Sequence, residues 1–223
     1  MPVTRNMVKR IVFYIMGLLV MTFGIALSSK AGIGVAPVST ISYAGSLLTP
    51  LSFGMCSSVF HALCFLAQLA IQRRLTVMTV LQIPAVYVFG LLIDLFSSIL
   101  RISPPGMLIG IPLMAFSALV FSLGIRIIMG SDLVLPPPDS LVRVIAAKAG
   151  WPMSKAKLVF DIVVVSSSAV LTLVFLGSLF VAVGIGTVLC VLMTGPAIGF
   201  FQKYMPFFDL VTVPAPGETA SGR

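Results

Sequence analysis

Residues 53–71 read FGMCSSVFHALCFLAQLAI. The run holds no Asp, Glu, Lys or Arg, and as a helix rising about 1.5 Å per residue it is long enough to cross a hydrocarbon core of about 30 Å. Its polar residues are not scattered. Ser57, His61, Cys64 and Gln68 fall at i, i+4, i+7 and i+11, which is one helical face. The stretch reads as a transmembrane helix that keeps a polar stripe for its neighbours.

Five more runs of this kind lie along the chain: 11–27, 78–95, 107–128, 158–176 and 179–201. The 223 residues are 59% hydrophobic and 9% charged, against about 45–50% and about 25% for soluble domains. Mean hydropathy is +1.16. These values exclude a soluble globular enzyme, a disordered chain and a disulfide scaffold. A membrane β-barrel is excluded because its strands alternate apolar and polar residues. The expected fold is all-α: a polytopic bundle of six transmembrane helices in one membrane domain, 1–223, ending in a flexible tail, 209–223.

The net charge of +8 comes from short basic clusters between the apolar runs. That is the pattern of membrane topology, so no nucleic-acid partner is expected. With the N-terminus in the cytoplasm, all of the 14 Lys and Arg except Lys30 and Arg101 lie on the cytoplasmic side. Both termini are therefore expected inside. Arg5, Lys9 and Arg10 before the first run also suit a signal peptide, but that run has a partner later in the chain, which argues for retention. Cys56, Cys64 and Cys190 lie within apolar runs and have neither a disulfide framework nor metal-ligand spacing. No metal and no cofactor is expected.

The connections 28–52 and 129–157 are long, and each holds a short helical segment, 39–48 and 139–148. Ser39 and Asp139 are the expected N-caps; Pro50 and Gly150 mark the ends. At about 14 Å neither can span. An interfacial placement is the first expectation and a re-entrant one the alternative. Between the fifth and sixth runs, Gly177–Ser178 is expected to form a tight turn.

Shifting the chain by 100 residues brings landmarks into register. Gly24-Ile25 falls on Gly124-Ile125, Pro37 on Pro137, Ser39 on Asp139, Pro50 on Gly150 and Val59-Phe60-His61 on Val159-Phe160-Asp161. A shift of 105 lays Gly90, Ile93 and Phe96 on Gly195, Ile198 and Phe201. The chain thus reads as two repeats, about 11–96 and 107–201. Three spans per repeat is an odd number, so the repeats must cross in opposite directions, a recurring plan of secondary transporters.

Four stretches carry a family likeness: Gly24-Ile25-Ala26-Leu27 followed by residues 31–37 (AGIGVAP); residues 90–96 (GLLIDLF); Lys157-x-x-x-Asp161; and Gly184-Ile185-Gly186-Thr187 with Gly195-Pro196. In these the chain resembles the YczE/YyaS/YitT family of bacterial integral membrane proteins over about residues 10–203. The dense run Pro136-Pro137-Pro138 departs from that pattern. The resemblance implies a multi-pass protein of the bacterial cytoplasmic membrane, and no substrate.

Charge inside a bilayer is costly, so the few ionisable residues in the spans are the functional candidates. His61, Asp161 and Asp94 are the main ones. Lys157, Asp161, Ser168 and Thr172 share one face of the fifth span, and the shift lays this stripe on Ser57, His61 and Gln68. One reading is a solute pathway lined by both stripes, with His61 and Asp161 coupling protons to transport while the halves rock about the interface between spans two and five. The other is structural glue: hydrogen bonds between helices, with Lys157 and Asp161 an i, i+4 pair. Gly32, Gly34 and Pro37, and Pro136–Pro138, precede the short helices, whose N-termini could face an anionic group if they entered the core. Pro84 and the Gly195-Pro196 pair could break or hinge spans three and six. Gly195-x-x-x-Gly199 permits close helix packing. With no Gly-x-Ser-x-Gly turn and no Walker motif, neither an enzyme nor an ATP-driven pump is expected. The leading expectation is a secondary transporter or exporter of an unidentified small solute. The alternative is an accessory protein that binds a membrane partner, and homo-oligomerisation is left open.

Overall fold

A computed structural model of the chain describes residues 2–74, 76–103, 106–178 and 181–205. The expected tail at 209–223 and the expected start of the sixth run at Leu179 lie outside the described residues. Among the described residues eight α-helices follow one another: α1 (Pro2–Lys30), α2 (Thr40–Leu48), α3 (Phe53–Gln72), α4 (Val77–Ile99), α5 (Gly106–Ser131), α6 (Pro137–Ala149), α7 (Met153–Leu176) and α8 (Ile185–Tyr204). A single 3-10 turn at Pro37–Ser39 precedes α2. Six of the helices are long and apolar enough to cross a membrane, and they are the six expected from the sequence.

Local chemistry sets their ends. Ser52 Oγ accepts from the Met55 N–H to cap α3, and Thr76 Oγ1 accepts from the Thr79 N–H to cap α4. Gly150 and Gly177 close α6 and α7 in the left-handed conformation. One expected cap differs: Asp139 is the third residue of α6, because Pro136 already occupies the cap and Pro137 and Pro138 open the helix. Ser39 is the N-cap residue of α2, as expected, though it makes no side-chain cap bond.

The core is the antiparallel pair α1–α5. Gly24 lies against the backbone of Phe121, Gly124 against the backbone of Met21, and Gly17 against Ile128. Residue numbers fall on one helix as they rise on the other, so the two run in opposite directions. Glycine at the crossing lets the backbones approach closely. Met21, Ile25, Phe121 and Ile128 fill the space beside it. Helix α4 packs on α1, and α8 packs on α5. On the other side α2 and α6 each pack on both α3 and α7. Exchanging α1 with α5, α2 with α6, α3 with α7 and α4 with α8 turns each of these pairings into another. One pairing has no counterpart: α3 packs on α4, but among the described residues α7 and α8 form no comparable interface.

The short helices run alongside the spans for part of their length. Pro137, at the start of α6, lines a cavity with His61 in the middle of α3, whereas Lys148 and Ala149 lie beside Ile71 near the end of α3. From His61 to Ile71 is about 15 Å of helix. The chain leaves α5 at Asp132, which Arg10 holds, dips inward over 133–136, and returns through α6. The first short helix does the same from the other end. Ser168, about 12 Å inside the end of α7, donates to the Thr40 carbonyl, while Gly45 lies against Cys56 near the start of α3. Small and ring-shaped residues let both first turns pack inward: Pro37, Ser39, Thr40 and Ser42 are buried, as are Pro137, Pro138 and Ser140.

The sixth span begins at Ile185, and the expected tight turn at Gly177–Ser178 is part of a longer connection. Residues 182–186 are held by the loop after α1: the Val35 N–H donates to the Ala182 carbonyl at 3.3 Å, and the Gly186 N–H to the Ile33 carbonyl at 2.8 Å. Gly34, at φ 110°, lies against Gly184. Gly32 is also at positive φ, 71°, and turns the chain at the end of α1. Helices α4 and α8 run on through Pro84 and Pro196. The expected close packing at Gly195 and Gly199 is absent; a methyl group added at either would meet no atom within 4 Å.

Candidate functional site

The polar stripe of α3 faces inward. Ser57, His61, Cys64 and Gln68 are all buried, as are Ser168 and Thr172 on α7. His61 is the only histidine. Its Nδ1 donates to the Ser57 carbonyl at 2.8 Å; a carbonyl only accepts, so Nδ1 carries a hydrogen. The Phe89 ring packs against the imidazole with centroids 4.6 Å apart.

Beside His61 is a small cavity lined by Tyr14, Gln82, Phe89, Leu135 and Pro137 among others. Gln82 spans from α4 to the segment that opens α6. Its Nε2 donates to the Leu135 carbonyl at 3.1 Å and to Ser140 Oγ at 2.8 Å. The sequence marks Gln82 only as an amide inside an apolar run, because its partners are brought to it by the fold of that segment.

A charged cluster lies where α6 meets α7. Lys157 Nζ is 3.0 Å from Asp161 Oδ1 and 3.4 Å from Asp139 Oδ1. Its three side chains are between 19% and 35% exposed, so none is freely solvated. Two carboxylates share one ammonium, which leaves one excess negative charge. Asp139 is the member that the helical spacing missed, since only the chain reversal at α6 brings it to Lys157. The start of α6 is a poor anion site. Pro137 and Pro138 have no N–H, and Asp139 already places a carboxylate in the first turn.

Between the two polar regions α3 and α7 meet at Phe60 and Phe160, whose ring centroids are 6.5 Å apart. Farther along α7, Ser168 holds the start of α2, and Thr172 Oγ1 donates to the Ser168 carbonyl at 3.1 Å. Gln68 Nε2 donates to Gln72 Oε1 at 3.4 Å, while Gln68 Oε1 is buried without a partner. Asp94 stands apart, two turns of α3 from His61. It accepts from Ser52 Oγ at 2.5 Å and from the Gly54 N–H at 2.7 Å, tying α4 to the start of α3. Among the described residues no group of three or more His, Cys, Asp or Glu could hold a metal ion.

Six long apolar helices, with Leu63, Leu66, Leu108, Val174, Phe175 and Leu192 on their outer faces and polar side chains turned inward, define a multi-pass α-helical membrane protein. The chain belongs to a family of unknown function, DUF6198, whose profile matches residues 8–203. That match does not link it to the YczE/YyaS/YitT family. No curated protein and no solved structure matches it.

Proposed function

We propose that the protein is a secondary transporter or exporter of a small solute, built from two halves of opposite orientation and coupled to protons through the region of His61 and Asp161. The observation that carries this reading is the Asp139–Lys157–Asp161 cluster. Charge inside a membrane domain is costly to keep, and a purely structural contact would not need two carboxylates on one ammonium. The excess charge suits a site that takes up a proton or small cation. The cluster also joins a short helix to a span, so a change in its protonation bears on the packing of α6.

Support for the inverted halves comes from the reciprocal α1–α5 contact and the exchangeable helix pairings. In this reading repeat one covers about 11–96 and repeat two about 107–201. The α1–α5 pair is the most extensive contact between the halves, so it serves as the axis about which α3 and α7 separate or close. The YczE/YyaS/YitT likeness and the basic clusters support the bacterial cytoplasmic membrane, with both termini inside.

The test is water access. With the native cysteines replaced, single cysteines at 57, 61, 68, 161 and 168 are treated with a membrane-impermeant thiol reagent in intact cells and in inverted vesicles. The expected result is reaction from opposite faces at the two stripes. Failure at all five, while controls at 30 and 148 react, defeats the transport reading.

A second reading has its own observation. Arg143, Lys148 and Lys155 are exposed on one end of the bundle, with Lys155 over the Trp151 ring at 4.7 Å. Such a surface suits anionic lipid or an acidic membrane partner of a non-transporting accessory protein. Copurification of one partner at fixed stoichiometry, together with a dry core, would favour it.

A further inference from the structure

Helices α3 and α6 end side by side, and between them lies a groove of about 270 Å³. Ile71 lines it from α3, and Ile145, Lys148 and Ala149 line it from α6. Three of the four are aliphatic, and Lys148 is exposed. The chain runs on from Ile71 through Gln72 to Arg73 and Arg74, both also exposed. Residues 62–93 and 140–160 contain no Asp or Glu, so neither stretch supplies a carboxylate to offset these cations. The carbonyl ends of the two helices bring about one negative charge in all, against three positive side chains.

Two further observations bear on the occupant. Trp151, the only tryptophan, follows Ala149 by two residues and is 38% exposed. Its amphipathic ring suits the headgroup level of a bilayer, which puts the groove where headgroups meet acyl chains. Arg73 closes α3 at φ 52°, the left-handed conformation that α6 and α7 give to Gly150 and Gly177. An arginine is strained there and a glycine is not, so ease of folding does not account for the residue.

We propose that this groove binds one anionic phospholipid, with an acyl chain along Ile71, Ile145 and Ala149 and the phosphate among Lys148, Arg73 and Arg74. An aliphatic wall beside unopposed cations at a membrane surface fits that amphiphile better than a soluble anion, which has no use for the wall, or a zwitterionic lipid, which carries its own cation. The proposal rests on the anionic-lipid reading of this basic end, narrows it to one groove, and is independent of transport.

The single tryptophan makes the test direct. Full-length protein is reconstituted in vesicles of dioleoyl phosphatidylcholine and dioleoyl phosphatidylglycerol, with bromine on the acyl chains of one lipid at a time, and quenching of Trp151 is followed as the mixture is varied. The expected result is a preference of about tenfold or more for phosphatidylglycerol. Lys148→Gln and Arg73→Gly are each expected to lower it about fivefold. Both residues are exposed, and the glycine also eases the cap, so these variants keep the fold. Ala149→Phe, which fills the groove, is expected to lower the preference as well. Arg143→Gln, two residues from Ile145 and so on another face of α6, is expected to change it by less than about twofold. Equal quenching by the two lipids overturns the proposal together with the anionic-lipid reading. A preference that survives the three groove variants overturns the proposal alone and leaves lipid on the wider basic surface. Loss of the preference in sodium phosphate, but not in sodium chloride of equal ionic strength, overturns it in favour of a site for free phosphate.

Discussion

Gly24 and Gly124 make the same contact from opposite sides of one helix crossing. Gly24 lies against the backbone of Phe121 and Gly124 against that of Met21, residues that are themselves 100 apart. A contact that repeats with its partners exchanged is what a two-fold axis produces. A side chain at either position would sit within van der Waals distance of the facing backbone, which cannot rotate away. Gly24→Val and Gly124→Val are each expected to destabilise the fold by about 2 kcal/mol or more. Gly195→Ala, in open space, is expected to stay within about 0.5 kcal/mol of the parent. Thermal unfolding of the detergent-solubilised protein measures all three, and equal loss at Gly195 would contradict the packing.

Asp94 is a latch. It receives Ser52 Oγ and the Gly54 N–H, so its removal leaves a backbone donor at the start of α3 without an acceptor. Asp94→Ala is expected to cost about 1–3 kcal/mol, and Asp94→Asn less, since its amide oxygen still accepts one bond. Neither substitution should change the behaviour of His61, two turns away. A shifted His61 nitrogen spectrum in Asp94→Asn would place Asp94 in the polar site after all.

The Asp139–Lys157–Asp161 cluster separates a structural role from a functional one. Lys157→Met alone leaves two carboxylates without their cation, at an expected cost of about 3–5 kcal/mol and with loss of folded protein. Adding Asp139→Asn and Asp161→Asn removes the stranded charge and is expected to restore the folded yield. If the cluster takes up protons during transport, a cysteine at 168 in this triple variant is expected to lose the reaction it shows in the parent. Labelling at 168 as in the parent would reduce the cluster to a scaffold.

The six spans and the inward stripe of α3 were legible because each is a local property. An apolar run reports its environment, and residues 57, 61, 64 and 68 share a face whatever the helix packs against. The packing of the first turns of α2 and α6 against the spans was not legible. A short helix with Ser, Thr and Pro in its first turn looks the same whether water or another helix covers it. Asp139 was misread as a cap for the same reason: only the return of the chain at Pro136–Pro138 brings it to Lys157. Gln82 acquires its partners from a segment more than fifty residues later. The start of α8 was set by a loop from the other half, at Ile33 and Val35, and no local signal marks it.

In the proposed two-repeat arrangement, the last helices of the two repeats are held differently. In the first, α4 is fastened to α3: Gly54 lies against Gly90, Ser58 Oγ donates to the Val86 carbonyl, and Asp94 closes the end. The shift of 105 puts Gly199 where Asp94 stands, and the shift of 100 puts Pro152 where Ser52 stands. Gly199 has no carboxylate and Pro152 no hydroxyl, so the latch is missing in the second half. Without that attachment α7 and α8 are expected to vary in their separation. Pairs of spin labels on exposed, repeat-equivalent sites test this: 59 with 95 in the first half, 159 with 200 in the second. The first pair is expected to give a narrow distance distribution and the second a broad one. Equal widths would mean that something other than the latch, lipid or a second protein, holds α7 against α8 in the membrane.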